Sequence, residues 1–215
     1  QDCTLTQMTF PASVKDVSSL AVYGCSGLQG FQVAAGNTKY SASEGVLFDA
    51  KKTTIVLYPM GRQAESYQIP GSVKTIGENA FNNVNVSEIL IPKTVSVIND
   101  GAFAGAKIKT LNLPGSVTSL GLYLCEDCTE LQSVTIGKGI KSISYRMFYN
   151  CSSLTEVSLG STLNTLDSLA FAYCTSLQQI TIPDNVTQIL NGCFGECSAL
   201  EKVTFPKKLK EITFQ

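Results

Sequence analysis

Eight cysteines are the residues of this 215-residue chain best able to do chemistry, and the absence of any histidine limits what that chemistry can be. Cys125-Glu-Asp-Cys128 has the spacing of a redox pair or of half a zinc site. No second CxxC completes a four-thiolate site. Without His, a Ser-His-Asp or Cys-His nucleophile, a His general base and a His-containing metal site are all excluded. The carboxylates offer no substitute, because Glu126-Asp127, Asp100, Glu156 and Asp167 follow no motif that sets two acids across a substrate. The chain reads as non-enzymatic, with no catalytic residue, no cofactor and no metal ligand assigned.

Charge and composition narrow the partners. Sixteen basic and seventeen acidic residues leave a net charge of -1 without runs of either sign, so no nucleic-acid footprint is present. No apolar run approaches the roughly 18 residues of a membrane span. A start at Gln1 is what signal-peptide cleavage leaves, as would a cut in a longer chain, and a secreted or cell-surface protein is the expectation. The absence of Trp removes the strongest single aromatic anchor for a sugar or protein contact.

A repeated unit is what must position these residues. Leu113-Pro-Gly-Ser-Val-Thr-Ser-Leu recurs as Ile136-Gly-Lys-Gly-Ile-Lys-Ser-Ile, Leu159-Gly-Ser-Thr-Leu-Asn-Thr-Leu, Ile182-Pro-Asp-Asn-Val-Thr-Gln-Ile and Phe205-Pro-Lys-Lys-Leu-Lys-Glu-Ile, each 23 residues after the last. Units of 22 residues begin at Ile69 and Ile91, and Phe10-Pro-Ala-Ser-Val opens an earlier copy. Within a unit, Leu131-x-x-Val134-x-Ile136 ends in a strand alternation, and prolines 70, 92, 114, 183 and 206 follow it where a sheet rung should stop. Next comes a small-aromatic pair such as Ala80-Phe81, Ala102-Phe103 or Ala170-Phe171, with Cys three residues later in most copies. That spacing predicts a helical turn packing one face inward. No unit can bury its apolar side alone, so the period implies a solenoid of stacked coils.

One stretch departs from the rhythm. Gly36 to Gln68 holds two β-rich runs around the polar turn Asp49-Ala50-Lys51-Lys52, which predicts an inserted β-hairpin that either widens a coil or presents a functional edge. The expected layout is one domain over 1–215: a cap at 1–9, an irregular unit at 33–68, regular repeats at 69–204 and a partial repeat at 205–215. Lysines in that last unit are expected to blunt its edge, as at a natural end.

Ile182-Pro-Asp-Asn-Val-Thr-Gln-Ile, continuing through Phe194, Cys197, Leu200 and Val203, and Ile69-Pro-Gly-Ser-Val-Lys-Thr-Ile-Gly-Glu-Asn-Ala-Phe81 resemble the BspA-like, or Treponema-type, leucine-rich repeats of bacterial surface proteins. The insert resembles them too, through Glu44-Gly-Val-Leu-Phe-Asp and Thr54-Ile-Val-Leu-Tyr-Pro59. The resemblance implies an α/β repeat: a right-handed leucine-rich-repeat solenoid with a parallel β-sheet on one face, short helical turns on the other and the inserted β-hairpin. It also implies a surface protein that binds an extracellular protein, of host matrix or of another cell, and it brings no catalytic residue. The expected route is the sheet face with the insert; the alternatives are a glycan-binding surface protein using exposed tyrosines and the Ser/Thr ladder, and a non-binding structural spacer. Cys125 departs from the pattern where Phe is expected, as do Val84 and Ala106 where Cys is expected.

Two candidate surfaces follow from the offsets. The outward residues of the sheet are Glu88, Leu90, Thr110, Asn112, Ser133, Thr135, Glu156, Ser158, Gln179, Thr181, Lys202 and Thr204, a ladder suited to an extended protein or simply to solvent. Tyr123, Tyr145, Tyr149 and Tyr173 sit at offsets not reserved for the core, where they could hold a protein or a glycan, although they share no single offset. Cys25, Cys128, Cys151, Cys174 and Cys197 do share one, which predicts a column of buried thiols serving as small hydrophobes. Cys3 precedes the first unit and is free to form a capping disulfide with Cys25.

Overall fold

The structure is a computed structural model that describes residues 3–213; Gln1, Asp2, Phe214 and Gln215, the outer ends of the expected cap and partial repeat, lie outside them. Among the described residues the chain winds into a parallel β-solenoid of about nine turns. Strands Gln63–Gln68, Asn85–Leu90, Thr110–Leu113, Ser133–Ile136 and Glu156–Ser158 form one parallel sheet in chain order. Gln179–Thr181 and Lys202–Thr204 pair in the same sense. The register is one repeat per rung: Leu111 lies beside Val134, and Val134 beside Val157. After each sheet strand that Pro follows, the chain turns sharply, the N–H of Val14, Val73, Val95, Val117, Val186 or Leu209 donating back to the proline carbonyl at 3.0–3.2 Å. Two-residue strands then stack as a second ladder, from Thr75–Ile76 through Val97–Ile98 to Ser119–Leu120 and again from Ser142–Ile143 to Glu211–Ile212.

The expected helical turns are not there: no helix occurs among the described residues. On that side the backbone enters the left-handed region twice per coil, four residues apart. The pairs are Asn79 and Asn83, Gly101 and Gly105, Tyr123 and Asp127, Arg146 and Asn150, Leu169 and Tyr173, and Gly192 and Glu196, all with φ between 52° and 68°. A right-handed helix cannot pass through such points. Its hydrogen bonds go instead to the next coil, where Asn79, Phe81 and Asn83 donate to the carbonyls of Asp100, Ala102 and Ala104 at 3.0, 2.8 and 2.8 Å, and Tyr123, Cys125 and Asp127 donate to Tyr145, Met147 and Tyr149. A third inter-coil ladder therefore offsets the cost, roughly 1–2 kcal/mol each, of holding Tyr123, Arg146, Leu169, Tyr173 and Glu196 left-handed.

Between the ladders runs one long apolar core. Phe81, Phe103, Phe148 and Phe171 are fully buried in it, and the thiols of Cys128, Cys151, Cys174 and Cys197 each donate to a carbonyl one coil back at 3.0–3.2 Å. The cysteine column is thus more than hydrophobic filling. Each sulfur gives a second donor to a carbonyl that already closes a turn, as Phe103 O does for the N–H of Ala106.

Within the irregular segment the predicted antiparallel pairing occurs, but as a meander of three strands over 40–57, whereas Gln63–Gln68, expected to belong to the insert, starts the main parallel sheet and Thr54–Leu57 also pairs in parallel with Thr75–Ile76. Val46–Asp49 pairs with Thr54–Leu57 across the Asp49–Lys52 turn and with Tyr40–Ser43 across Glu44-Gly45, both of which have positive φ. Asp49 fixes the wider turn by accepting from the N–H of Thr53 and Thr54 at 2.6 and 2.8 Å. Val46 and Phe48 point into the main core, whereas Leu47 and Leu57 join a smaller cluster with Phe10, Val22, Cys25, Leu28 and Phe31. The insert is the wall between the two clusters.

Cys3 and Cys25 are joined by a disulfide across that smaller cluster, 22 residues apart. Replacing both by Ser is expected to lower stability by about 3 kcal/mol, the loop-closure value for a ring of this size. Urea denaturation followed by far-ultraviolet circular dichroism checks it. No loss would mean that Phe10 and its neighbours hold the first coil unaided.

Candidate binding surfaces

The sheet places its outward residues in two rows. Ser66, Glu88, Thr110, Ser133 and Glu156 stand side by side along the first, with Gln179 beside Lys202 further on. Asn112, Thr135 and Ser158 form the second, with Gln68 beside Leu90 at one end and Thr181 beside Thr204 at the other. Glu88, Thr110 and Ser133 are half-buried and the remaining candidates are exposed. The rows are short, polar and flat, and the hydrogen-bonded sheet is interrupted between Ser158 and Gln179. Its two acids, Glu88 and Glu156, and its one cation, Lys202, stand apart, so the face carries little concentrated binding chemistry.

The opposite side is different, because the left-handed positions turn large side chains outward. Tyr123 and Tyr145 meet edge to face with ring centroids 5.5 Å apart, and Tyr149 and Tyr173 do the same at 5.1 Å. Arg146 joins the pairs: its guanidinium lies 3.8 Å from the centre of the Tyr149 ring and 6.0 Å from that of Tyr123. Its far end contacts Glu126, Nη2 to Oε1, at 2.6 Å. Burial raises the Glu126 carboxyl above its ordinary pKa, Arg146 opposes that rise and Asp127 adds to it. An arginine stacked on one side and ion-paired on the other is held in one rotamer; both partners are half-buried, so the stacking is worth at least about 0.5–1 kcal/mol, the value for exposed pairs.

The four tyrosines selected by sequence are therefore brought together, although they share no offset. Tyr145 stands 22 residues after Tyr123 and Tyr173 stands 24 after Tyr149, so each pair is diagonal across adjacent coils. Coils about 4.8 Å apart put diagonal neighbours within reach of a ring. Offset counting missed Arg146, whose signal was its place one repeat after Tyr123.

Beside the cluster lies a groove of about 470 Å³. Three successive coils build it from the same three offsets: Asn79, Asn82 and Asn83 on one side, Gly101, Ala104 and Gly105 as floor, Tyr123, Glu126 and Asp127 as the other wall. Side-chain size alone makes the step. Tyr23, 68% exposed, stands at the rim.

Cys125, Cys128, Cys151, Cys174 and Cys193 are buried, and burial pushes the Cys125 thiol well above its ordinary range, contrary to what a redox pair requires.

No curated protein matches the sequence significantly. Among solved structures, a leucine-rich repeat protein from Eubacterium ventriosum is 30% identical with a TM-score of 0.90, over 95% of this chain and 56% of its own. A leucine-rich cell surface protein from Faecalibacterium prausnitzii is 24% identical with a TM-score of 0.65, over 94% of this chain and 48% of its own. The pneumococcal vaccine antigen PcpA is 24% identical with a TM-score of 0.55, over 86% and 50%. The chain thus spans about half the length of these solved proteins. The family model for the BspA type leucine-rich repeat region matches residues 1–52, 60–177 and 120–215, with six copies. With that coverage, and with its stacked 22- and 23-residue coils, the chain belongs to the BspA-type leucine-rich-repeat family of bacterial proteins.

Proposed function

We propose that this chain is a binding module of a bacterial cell-surface or secreted protein, that it holds another extracellular protein as an adhesin does, and that it catalyses nothing. The carrying observation is the tyrosine–arginine cluster, in which Arg146 is fixed between the Tyr149 ring and the Glu126 carboxylate. Tyr and Arg are the residues that dominate protein-interface energetics, and a cluster already rigid loses little entropy when a partner docks. The Cys3–Cys25 disulfide suits an oxidising, extracellular setting. The Faecalibacterium prausnitzii protein, named as a cell surface protein, supports the same location. The sheet face is the second surface proposed for the partner. The insert contributes less, since Val46, Leu47 and Phe48 are spent on the two cores and only its turns remain free.

A second reading has its own support: Tyr23 and Tyr123 line a concavity beside three carboxamides, an arrangement that suits a glycan. The test is binding of the purified chain to immobilised matrix proteins and to a glycan array. Saturable binding to a protein is expected, weakened about 30-fold or more by Tyr149→Ala with Tyr173→Asn, the hot-spot range of 2 kcal/mol and above. Both substitutions repeat residues the fold already accepts at those offsets, Ala172 and Asn150. Loss of binding in Glu156→Lys with Lys202→Glu would move the contact to the sheet. Binding to glycans alone would replace the protein reading with the second one.

A further inference from the structure

The groove beside the cluster has a donor and acceptor balance that selects what can enter it. Part of its carboxamide donor capacity is consumed within the protein: Asn79 Nδ2 donates to Ser19 Oγ and Glu78 Oε1 at 3.2 and 3.3 Å, and Asn83 Nδ2 to Asn82 Oδ1 at 2.6 Å, which leaves the Asn82 amide as the main carboxamide donor beside the groove. The carbonyl oxygens of Asn79 and Asn83 lie over Gly101 and Gly105, so closely that a β-carbon at either glycine would strike them. The carboxylates tip the balance toward acceptors. Asp100 uses one oxygen on the N–H of Leu122 at 2.8 Å, and Asp127 uses one on Asn150 Nδ2 at 2.8 Å. Among the described residues no donor reaches the second oxygen of either.

Charge points the same way. Glu78, Asp100, Glu126 and Asp127 line the groove and no Lys or Arg does. The neighbouring cations are already engaged, Arg146 by Glu126 and Lys107 by Glu130 at 3.7 Å. A negative, acceptor-lined groove with a tyrosine on either side repels carboxylates, sulfates and phosphates. It suits a guanidinium or ammonium group, which brings only donors and can also lie against a tyrosine face.

We infer that the groove between Tyr23 and Tyr123 receives arginine or lysine side chains from an extended basic segment of the protein partner, an inference that rests on the protein-binding reading. Aromatic contact area comes from the tyrosine–arginine cluster, and the groove beside it supplies the charge complement that selects the partner. Glu126 takes part only by holding Arg146. Asp100 and Asp127 are the residues that meet the incoming cation.

The probe is a fluorescein-labelled Gly-Arg-Gly-Arg-Gly pentapeptide, read by fluorescence polarisation at low salt, with the Gly-Glu-Gly-Glu-Gly peptide and chitotriose as alternatives. Saturable binding of the arginine peptide alone is expected, weakened at least about tenfold by Asp100→Asn with Asp127→Asn and at least about threefold by Tyr23→Ser. Asn retains the Oδ1 acceptor that receives the Leu122 N–H, so the fold is kept. The charge-matched pair Glu65→Gln with Glu201→Gln, outside the groove, is expected to change affinity by less than about twofold. Equal weakening by both pairs would reduce the effect to net charge and overturn the site, as would binding of chitotriose in place of the arginine peptide. A chain that captures a matrix protein but ignores the pentapeptide overturns the groove assignment alone; a chain that binds neither overturns both readings.

Discussion

Between pH 9 and 10 the protein is expected to lose stability at about 5 kcal/mol per pH unit, far faster than its modest surface charge would suggest. The cause is the buried thiols. Cys125, Cys151, Cys174 and Cys193 are held by burial well above the ordinary thiol range, and Cys197, less deeply buried, is pushed up to about 11 and adds a smaller share. Their folded pKa values are raised, so they contribute nothing that changes while both states keep the proton. Once the pH passes the unfolded thiol value, near 8.5, the unfolded chain ionises and the folded one does not. Each thiol then shifts the balance toward unfolding by about 1.4 kcal/mol per pH unit. The loss continues until the folded values are reached. Tyr67, raised to about 12 chiefly by burial, adds the same trend at higher pH. Urea midpoints measured from pH 7 to 10.5 should be level below about pH 8 and then fall. In Cys151→Ala with Cys174→Ala, which copies the residue already present at Ala106, the slope should drop by about 2.7 kcal/mol per pH unit. An unchanged slope would sink the assignment of alkaline instability to the column.

That column shows how far the sequence can be read and where it stops. Repeat length fixes which residues stack, so the core set, the outward rows from Glu88 to Thr204 and the shared offset of the cysteines could all be found by counting. The sulfur-to-carbonyl bonds could not, because they depend on which way a turn aims its carbonyl. The missing helices have a similar origin. An Ala-Phe pair with Cys three residues on has the spacing of one helical face, and a left-handed turn that buries the same residues produces the same spacing. Asn and Gly at two offsets four apart, in Asn79 and Asn83 and in Gly101 and Gly105, with Asp127 and Asn150 at the second of those offsets in later coils, were the available sign, since these residue types tolerate positive φ best. The tyrosine–arginine cluster and its groove were the least legible. Both come from differences between neighbouring coils, such as Gly101 against Tyr123, which a search for sameness averages away.

The phenylalanine column offers the sharpest test of how coils hold one another. Phe148, Phe171 and Phe194 stack in series, at 5.3 and 5.7 Å with interplanar angles of 20° and 10°, while Phe81 and Phe103 form a separate stack at 5.6 Å. Cys125, standing at the offset where Phe recurs, separates the two. Phe171 therefore has a ring on both sides and Phe148 on one, although neither is exposed at all. Truncating a fully buried Phe to Ala costs about 3–5 kcal/mol. Each stacked ring adds roughly 0.5–1.5 kcal/mol beyond burial, so Phe171→Ala should exceed Phe148→Ala by about that amount. Because each coil is its neighbour's wall, the loss should also be local. Hydrogen exchange in Phe171→Ala should accelerate from Leu169 to Cys193 before it does in the coils around Phe81, where Tyr58 and Tyr67 pack on the ring. Equal losses for the two variants would mean that burial alone sets the cost and that Cys125 interrupts nothing. A larger loss at Phe171 would make Cys125 a seam, the place where the solenoid divides into two cooperative halves.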